Sequence, residues 1–149
     1  MGTAQSTKWA WNSPTGTSPR LIDGKGIDGR WSSIGCAGTS DAYRPEKLIE
    51  SAGREWFSLE LDAPQKIARV QIAKRTDCCS ERARNIQITI GPSKGYDPNE
   101  PLCLPEIDSL AGPGMQEYVC EGELHEGKFV KISRAGVMNL CEVKIFGAA

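Results

Sequence analysis

The sequence is short of histidine, of net charge and of long apolar runs, and each shortage removes a class of function. Its one histidine is His125. Structural zinc sites draw on closely spaced pairs of cysteine or histidine. The six cysteines, Cys36, Cys78, Cys79, Cys103, Cys120 and Cys141, contain no Cys-x-x-Cys pair, so disulfides are favoured over zinc thiolates. No Ser-His-Asp set stands out, and no carboxylate pair for glycoside hydrolysis can be located. The expectation is a protein that is not an enzyme. Net charge is −1, from 18 Lys+Arg and 19 Asp+Glu. Phosphate neutralisation needs clustered basic residues, so nucleic acid is not an expected partner. No apolar run approaches the ~20 residues of a membrane helix, and membrane insertion is not expected. The start carries no secretory leader pattern, and Gly2 with Ser6 fits only the short N-myristoylation pattern. Residues 1–7 are read as a tag or a disordered N-terminus.

What is present points to a small disulfide-bonded β domain. A chain of 149 residues fits one domain with one core. An even number of cysteines in that length suggests three disulfides and an oxidising compartment, hence a secreted or extracellular protein. Apolar and polar residues alternate in FSLEL (57–61), KIARVQIAK (66–74), RNIQITI (84–90), MQEYV (115–119), KFVKI (128–132) and CEVKIF (141–146), and KWAW (8–11) resembles them. Period-two alternation marks strands with one buried face. Between them lie NSPTGTSP, DGKGIDG, GPSKGYDPNEP and AGPG, which read as turns and loops. Helical periodicity is absent from every long stretch. The pattern predicts an all-β, antiparallel sandwich or barrel. The segment from Gly35 to Glu55 breaks it. This is a polar loop of about twenty residues, a length that usually serves binding or is disordered.

The run RTDCCSER (75–82) carries the most chemistry. Arg75 ends one expected strand and Arg82 precedes the next, so the loop can aim both guanidiniums at one place. Guanidinium donors suit vicinal hydroxyls or a carboxylate. Asp77 and Glu81 can hold the arginines by ion pairing. If Cys78 and Cys79 bond to each other, the ring removes little loop entropy and stabilises little. It instead forms a rigid apolar disc on which the C–H face of a sugar can stack. Two other readings stay open: different partners for the two cysteines, and a redox-active dithiol.

This run resembles that of the F-type lectin (fucolectin) family within the discoidin-like fold, which carries Arg-x-Asp, often Cys-Cys, then Glu and Arg. The likeness extends over LIDGK (21–25), Cys36, REWFSLEL (54–61) and NLCEVKIFG (139–147). The resemblance implies a β-sandwich jelly roll over residues 8–147, a lectin function directed at glycans such as terminal L-fucose, and a structural Ca2+. It implies the pairs Cys36–Cys141, Cys103–Cys120 and Cys78–Cys79. On chain entropy the first is worth about 4–5 kcal/mol and the second roughly 3. It implies sugar contacts from Arg75, Arg82, Cys78 and Cys79, oriented by Asp77 and Glu81. Trp31 matches an aromatic of the family's methyl pocket, or is a core residue under the loop.

The family histidine is missing. Its place, two residues after Cys36, is Gly38, and the family spacing counted back from Arg75 lands on Leu48. His125 precedes a late strand and is read as a surface residue. Tyr43, Arg44 and Lys47 in the long loop can supply new donors, so an altered specificity is expected, with a discoidin-like adhesion or protein-binding module as the alternative. The implied Ca2+ ligands are backbone oxygens of Arg20, Lys25, Gly35 and Cys141 with the carboxylates of Asp23 and Glu142. Gly35 lacks the serine hydroxyl common there, and Asp28 is a substitute. Oligomerisation gives many lectins avidity. No assembly signal is visible, and that question stays open.

Overall fold

The computed structural model describes residues 4–5, 7–12, 36–38 and 54–148. Nine strands occur among them: β1 (Ala4–Gln5), β2 (Thr7–Asn12), β3 (Ala37–Gly38), β4 (Glu55–Lys74), β5 (Arg84–Gly91), β6 (Ile107–Ser109), β7 (Gln116–Val119), β8 (Glu126–Arg134) and β9 (Asn139–Gly147). They form one curled sheet in the order β1-β9-β4-β8-β5-β6. β2 and β7 also pair with β4, and β3 pairs with β9. All pairings are antiparallel. This is an all-β sandwich, as the alternation predicts.

β4 makes the sandwich. The sequence reads as two strands, 57–61 and 66–74, but the chain runs through as a single 20-residue strand. Its first half pairs with β2 and β8, and its second half with β7 and β9. The crossing is at Asp62, Ala63 and Pro64, which are exposed. There the β8 register jumps between Glu60 and Gln65. Pro64 has no N–H to give a ladder, which suits it to a crossing. Phe57, Leu59 and Leu61 from the first half and Ile67, Val70 and Ile72 from the second join one buried cluster with Ile86, Ile88, Ile90, Val130, Ile132, Val143 and Ile145. Ala4–Gln5, within the segment read as a tag or disordered, pairs with Phe146 and Ile145 of β9.

The outer face of the β4–β8–β5 half is also covered. Lys131 is fully buried on it, between Ser58 and Thr89 in register. Its ammonium pairs with Glu100, whose other oxygen accepts the Ser93 N–H at 3.0 Å. Burial lowers the Lys131 pKa and the Glu100 partner opposes that shift. The Pro92–Glu100 loop thus lies across the sheet, with Arg54 stacked on Tyr96 at 5.2 Å. Close approach at its root requires Gly127, where a Cβ would stand 2.6 Å from Gly91 N.

Removing one member of a buried pair leaves the other charge uncompensated. Glu100→Gln should destabilise the domain by about 3–5 kcal/mol, and adding Lys131→Met should recover much of that loss. Urea denaturation midpoints of the single and double variants check this.

Candidate functional site

The turn after β4 brings the RTDCCSER residues to one end of the sandwich. Arg75 Nε donates to Asp77 Oδ1 at 2.8 Å. Arg75 Nη1 donates to Asn139 Oδ1 at 3.2 Å, and Arg82 Nη1 donates to the same oxygen at 3.1 Å. Asn139 is 3% exposed, and its Nδ2 donates to the Met138 carbonyl at 3.1 Å, which fixes the amide. One neutral acceptor therefore holds two cations side by side. Asp77 takes the orienting role expected of it. The part expected of Glu81 falls to Asn139: Glu81 is exposed on the 3-10 turn Ser80–Ala83, and its charge acts on Arg134.

Cys78 and Cys79 are bonded to each other, not to different partners. Cys78 is exposed and Cys79 half-buried. Cys79 has φ 63° and ψ 40°, a left-handed conformation that is uncommon for a residue with a Cβ. Strain of this kind persists only where the surroundings impose it. Here the Arg82 N–H donates to the Cys79 carbonyl at 2.9 Å and closes the 3-10 turn. Turn and disulfide face a depression of about 470 Å³ lined by Lys74, Arg75, Thr76, Cys78, Cys79, Ser80, Gly112 and Pro113. Its far wall is pinned. Tyr118 Oη accepts the Ala111 N–H at 2.8 Å, Gln116 Nε2 donates to the Pro113 carbonyl at 2.9 Å, and the Leu110 N–H donates to the Ala83 carbonyl at 2.9 Å. Burial raises the Tyr118 phenol above its ordinary value, with the Ala111 bond opposing.

The other two disulfides are Cys36–Cys141 and Cys103–Cys120, the pairs the resemblance implies. Gly38 stands directly across from Asn139 in the β3–β9 pair. Opposed residues of an antiparallel pair share a face, so the position of the absent histidine borders the arginine clamp. His125 is remote: its carbonyl accepts from Ile67, seven residues down β4 from Lys74, on the order of 20 Å. Trp31, Tyr43, Arg44 and Lys47 lie outside the described residues, as do Arg20, Asp23, Lys25, Asp28 and Gly35. Of the implied Ca2+ ligands, Cys141 and Glu142 are described. Glu142 is 2% exposed. It shares the outer face of its sheet half with Lys144, which is exposed. The register against β4 steps from Ala73↔Glu142 to Lys74↔Leu140 and skips Cys141.

Asn139 is the functional residue that the sequence reading missed. The only available sign was a polar residue opening an alternating strand.

No protein-family model matches the chain. It is 26% identical over 130 residues to a pentraxin fusion protein of Xenopus laevis, covering 85% of this chain and 28% of that protein. It is 26% identical over 129 residues to Fucolectin-6 of Anguilla japonica, covering 80% of this chain and 67% of that one. Among solved structures, a fucolectin from the serum of striped bass, Morone saxatilis, superposes with a TM-score of 0.69 at 24% identity over 98% of this chain and 46% of that one. A fucose-binding module of Streptococcus pneumoniae superposes with a TM-score of 0.70 at 21% identity over 100% and 99%. The chain is thus similar to fucolectins and has their discoidin-like sandwich fold. It spans little more than a quarter of the pentraxin fusion protein and under half of the striped bass chain.

Exposure sets the order in which the three disulfides should open. Under limiting reductant, alkylation should label Cys78 and Cys79 first, because Cys36, Cys141, Cys103 and Cys120 are at most 9% exposed and a buried disulfide resists thiolate attack. Peptide mass spectrometry reads the order, and equal labelling of all three pairs would contradict it.

Proposed function

We propose that this chain is a carbohydrate-binding lectin domain. Its groove takes a terminal sugar of the L-fucose type, with specificity shifted by the missing histidine. One observation carries the reading: two guanidiniums clamped by Asn139 Oδ1 beside an exposed vicinal disulfide. Arg82 is held beside Arg75 by the same amide oxygen, and guanidinium donors suit ring and hydroxyl oxygens. The Cys78–Cys79 disc offers an apolar surface for the C–H face of the ring. The likeness to fucolectins supports the sugar class. The domain is not catalytic on this reading, which its likeness to lectins and fucose-binding modules supports. A secreted or extracellular setting is supported by three disulfides with no free cysteine among the described residues.

The position of Gly38 favours a second reading. A glycine across from Asn139 brings no side-chain donor to the clamp, and losing a donor in a polar site costs about 1–3 kcal/mol. That is enough to remove weak monosaccharide binding and leave a discoidin-like protein-binding module. A glycan array separates the two. The wild type should bind fucosylated or related glycans, Arg75→Ala should abolish the signal, and Asn139→Ala should weaken it about tenfold or more, the scale of an unmade buried hydrogen bond. A blank array with protein that circular dichroism finds folded would favour the second reading.

A structural Ca2+ is part of the proposal. The hard-oxygen donors are the Glu142 carboxylate and the Cys141 carbonyl, joined by Arg20, Asp23, Lys25 and Gly35. A residue skipped by the ladder keeps its backbone oxygen available for other bonds. Calcium favours such mixed carboxylate and carbonyl loops. Bound calcium should raise the melting temperature by about 5–10 °C at a hundredfold excess over its Kd, and chelator should reverse the gain. A midpoint indifferent to both would remove the site.

A further inference from the structure

Lys74 ends β4 at the groove and takes no part in the contacts proposed above. Its stem lies along the turn of the far wall. A Cβ added at Gly112 would stand 2.9 Å from Lys74 Cε and 3.2 Å from Cγ. A side chain at Gly112 would displace that stem. The packing restricts the side chain, which lines the depression together with Thr76, Cys78, Cys79 and Ser80.

The charges around this groove do not balance. Asp77 is engaged by Arg75. Arg82 is met by a neutral amide oxygen. Glu81 acts on Arg134, which also feels Arg82, Arg54 and Arg84. Among the described residues no carboxylate pairs with Lys74. A neutral sugar can satisfy the arginine donors through its hydroxyls, but it leaves this ammonium unmatched. An ammonium is a compact point charge that suits a carboxylate or a sulfate ester equally.

We propose that the glycan read here carries an acidic group on the sugar next to the one seated on the Cys78–Cys79 disc, and that Lys74 reads it. The inference rests on the sugar-binding reading and narrows its ligand class to acidic oligosaccharides. A partly exposed ion pair is modest and screened by salt. The expected preference for the acidic ligand is therefore about fivefold at low ionic strength.

The test uses matched fucosyl and galactosyl oligosaccharides in neutral, sialylated and sulfated forms, titrated calorimetrically against the whole chain at low and high salt. An acidic member should bind about fivefold tighter than its neutral partner at low salt, with the gap closing at high salt. Sialylated and sulfated arms tell carboxylate from sulfate, and a preference for either supports the inference. Lys74→Gln should abolish the ratio, and Lys74→Arg should keep it. Equal binding of acidic and neutral forms overturns the inference and leaves the lectin reading standing, as does a ratio that survives Lys74→Gln. If no oligosaccharide binds the folded protein, the lectin reading falls and this inference falls with it.

Discussion

Two guanidinium groups repel each other, and the site exists because one amide oxygen holds both. Asn139 Oδ1 accepts from Arg75 and Arg82, residues that lie 64 and 57 positions away in sequence. A carboxylate there would neutralise the arginines and compete with any ligand for their donors. A neutral acceptor orients them and brings no charge of its own. Because the amide is buried and bonded to the Met138 carbonyl, it cannot turn away. The clamp is thus preorganised, and ordering costs that would otherwise fall on binding are met in folding.

The fold supplies what the clamp needs. β4 delivers Arg75 just past its last residue, and β9 presents Asn139 as its first. Cys36–Cys141 ties β9 to the segment that leads into β3. The 3-10 turn after the vicinal disulfide returns the chain to β5 with Arg82 facing the same oxygen. On the other side Tyr118 and Gln116 of β7 hold the Ala111–Pro113 wall. Each part of the groove is therefore fixed to a strand of the sandwich.

Much of this was legible in the residues. Period-two alternation located β5, β7, β8 and β9 because each shows one face to the core. The run from Arg75 to Arg82 could be read as a strand–loop–strand that aims two guanidiniums at one place, with the pairing of its cysteines left open by the residues alone. Other features were not legible, for definite physical reasons. Asn139 is defined by contacts that no local window contains. Lys131 sits in KFVKI as though facing water, and only the Pro92–Glu100 loop folding back makes it interior. The turn chemistry at Asp62–Pro64 ordinarily ends a strand, yet here the chain keeps its direction and exchanges partners. β3 and β6 are too short to carry a period. Glu81 looked like an orienting carboxylate from spacing alone, but the 3-10 turn puts it on the exposed side.

The continuity of β4 has a consequence for how the domain opens. A sandwich assembled from separate strands can peel one sheet from the other. Here both halves of the curled sheet share one backbone, so neither can melt without loosening the strand that templates its opposite. The two halves form a single cooperative unit. Fluctuations that expose part of the chain are then confined to its margins. A groove fixed to such strands keeps its clamp still while the margins of the sandwich loosen.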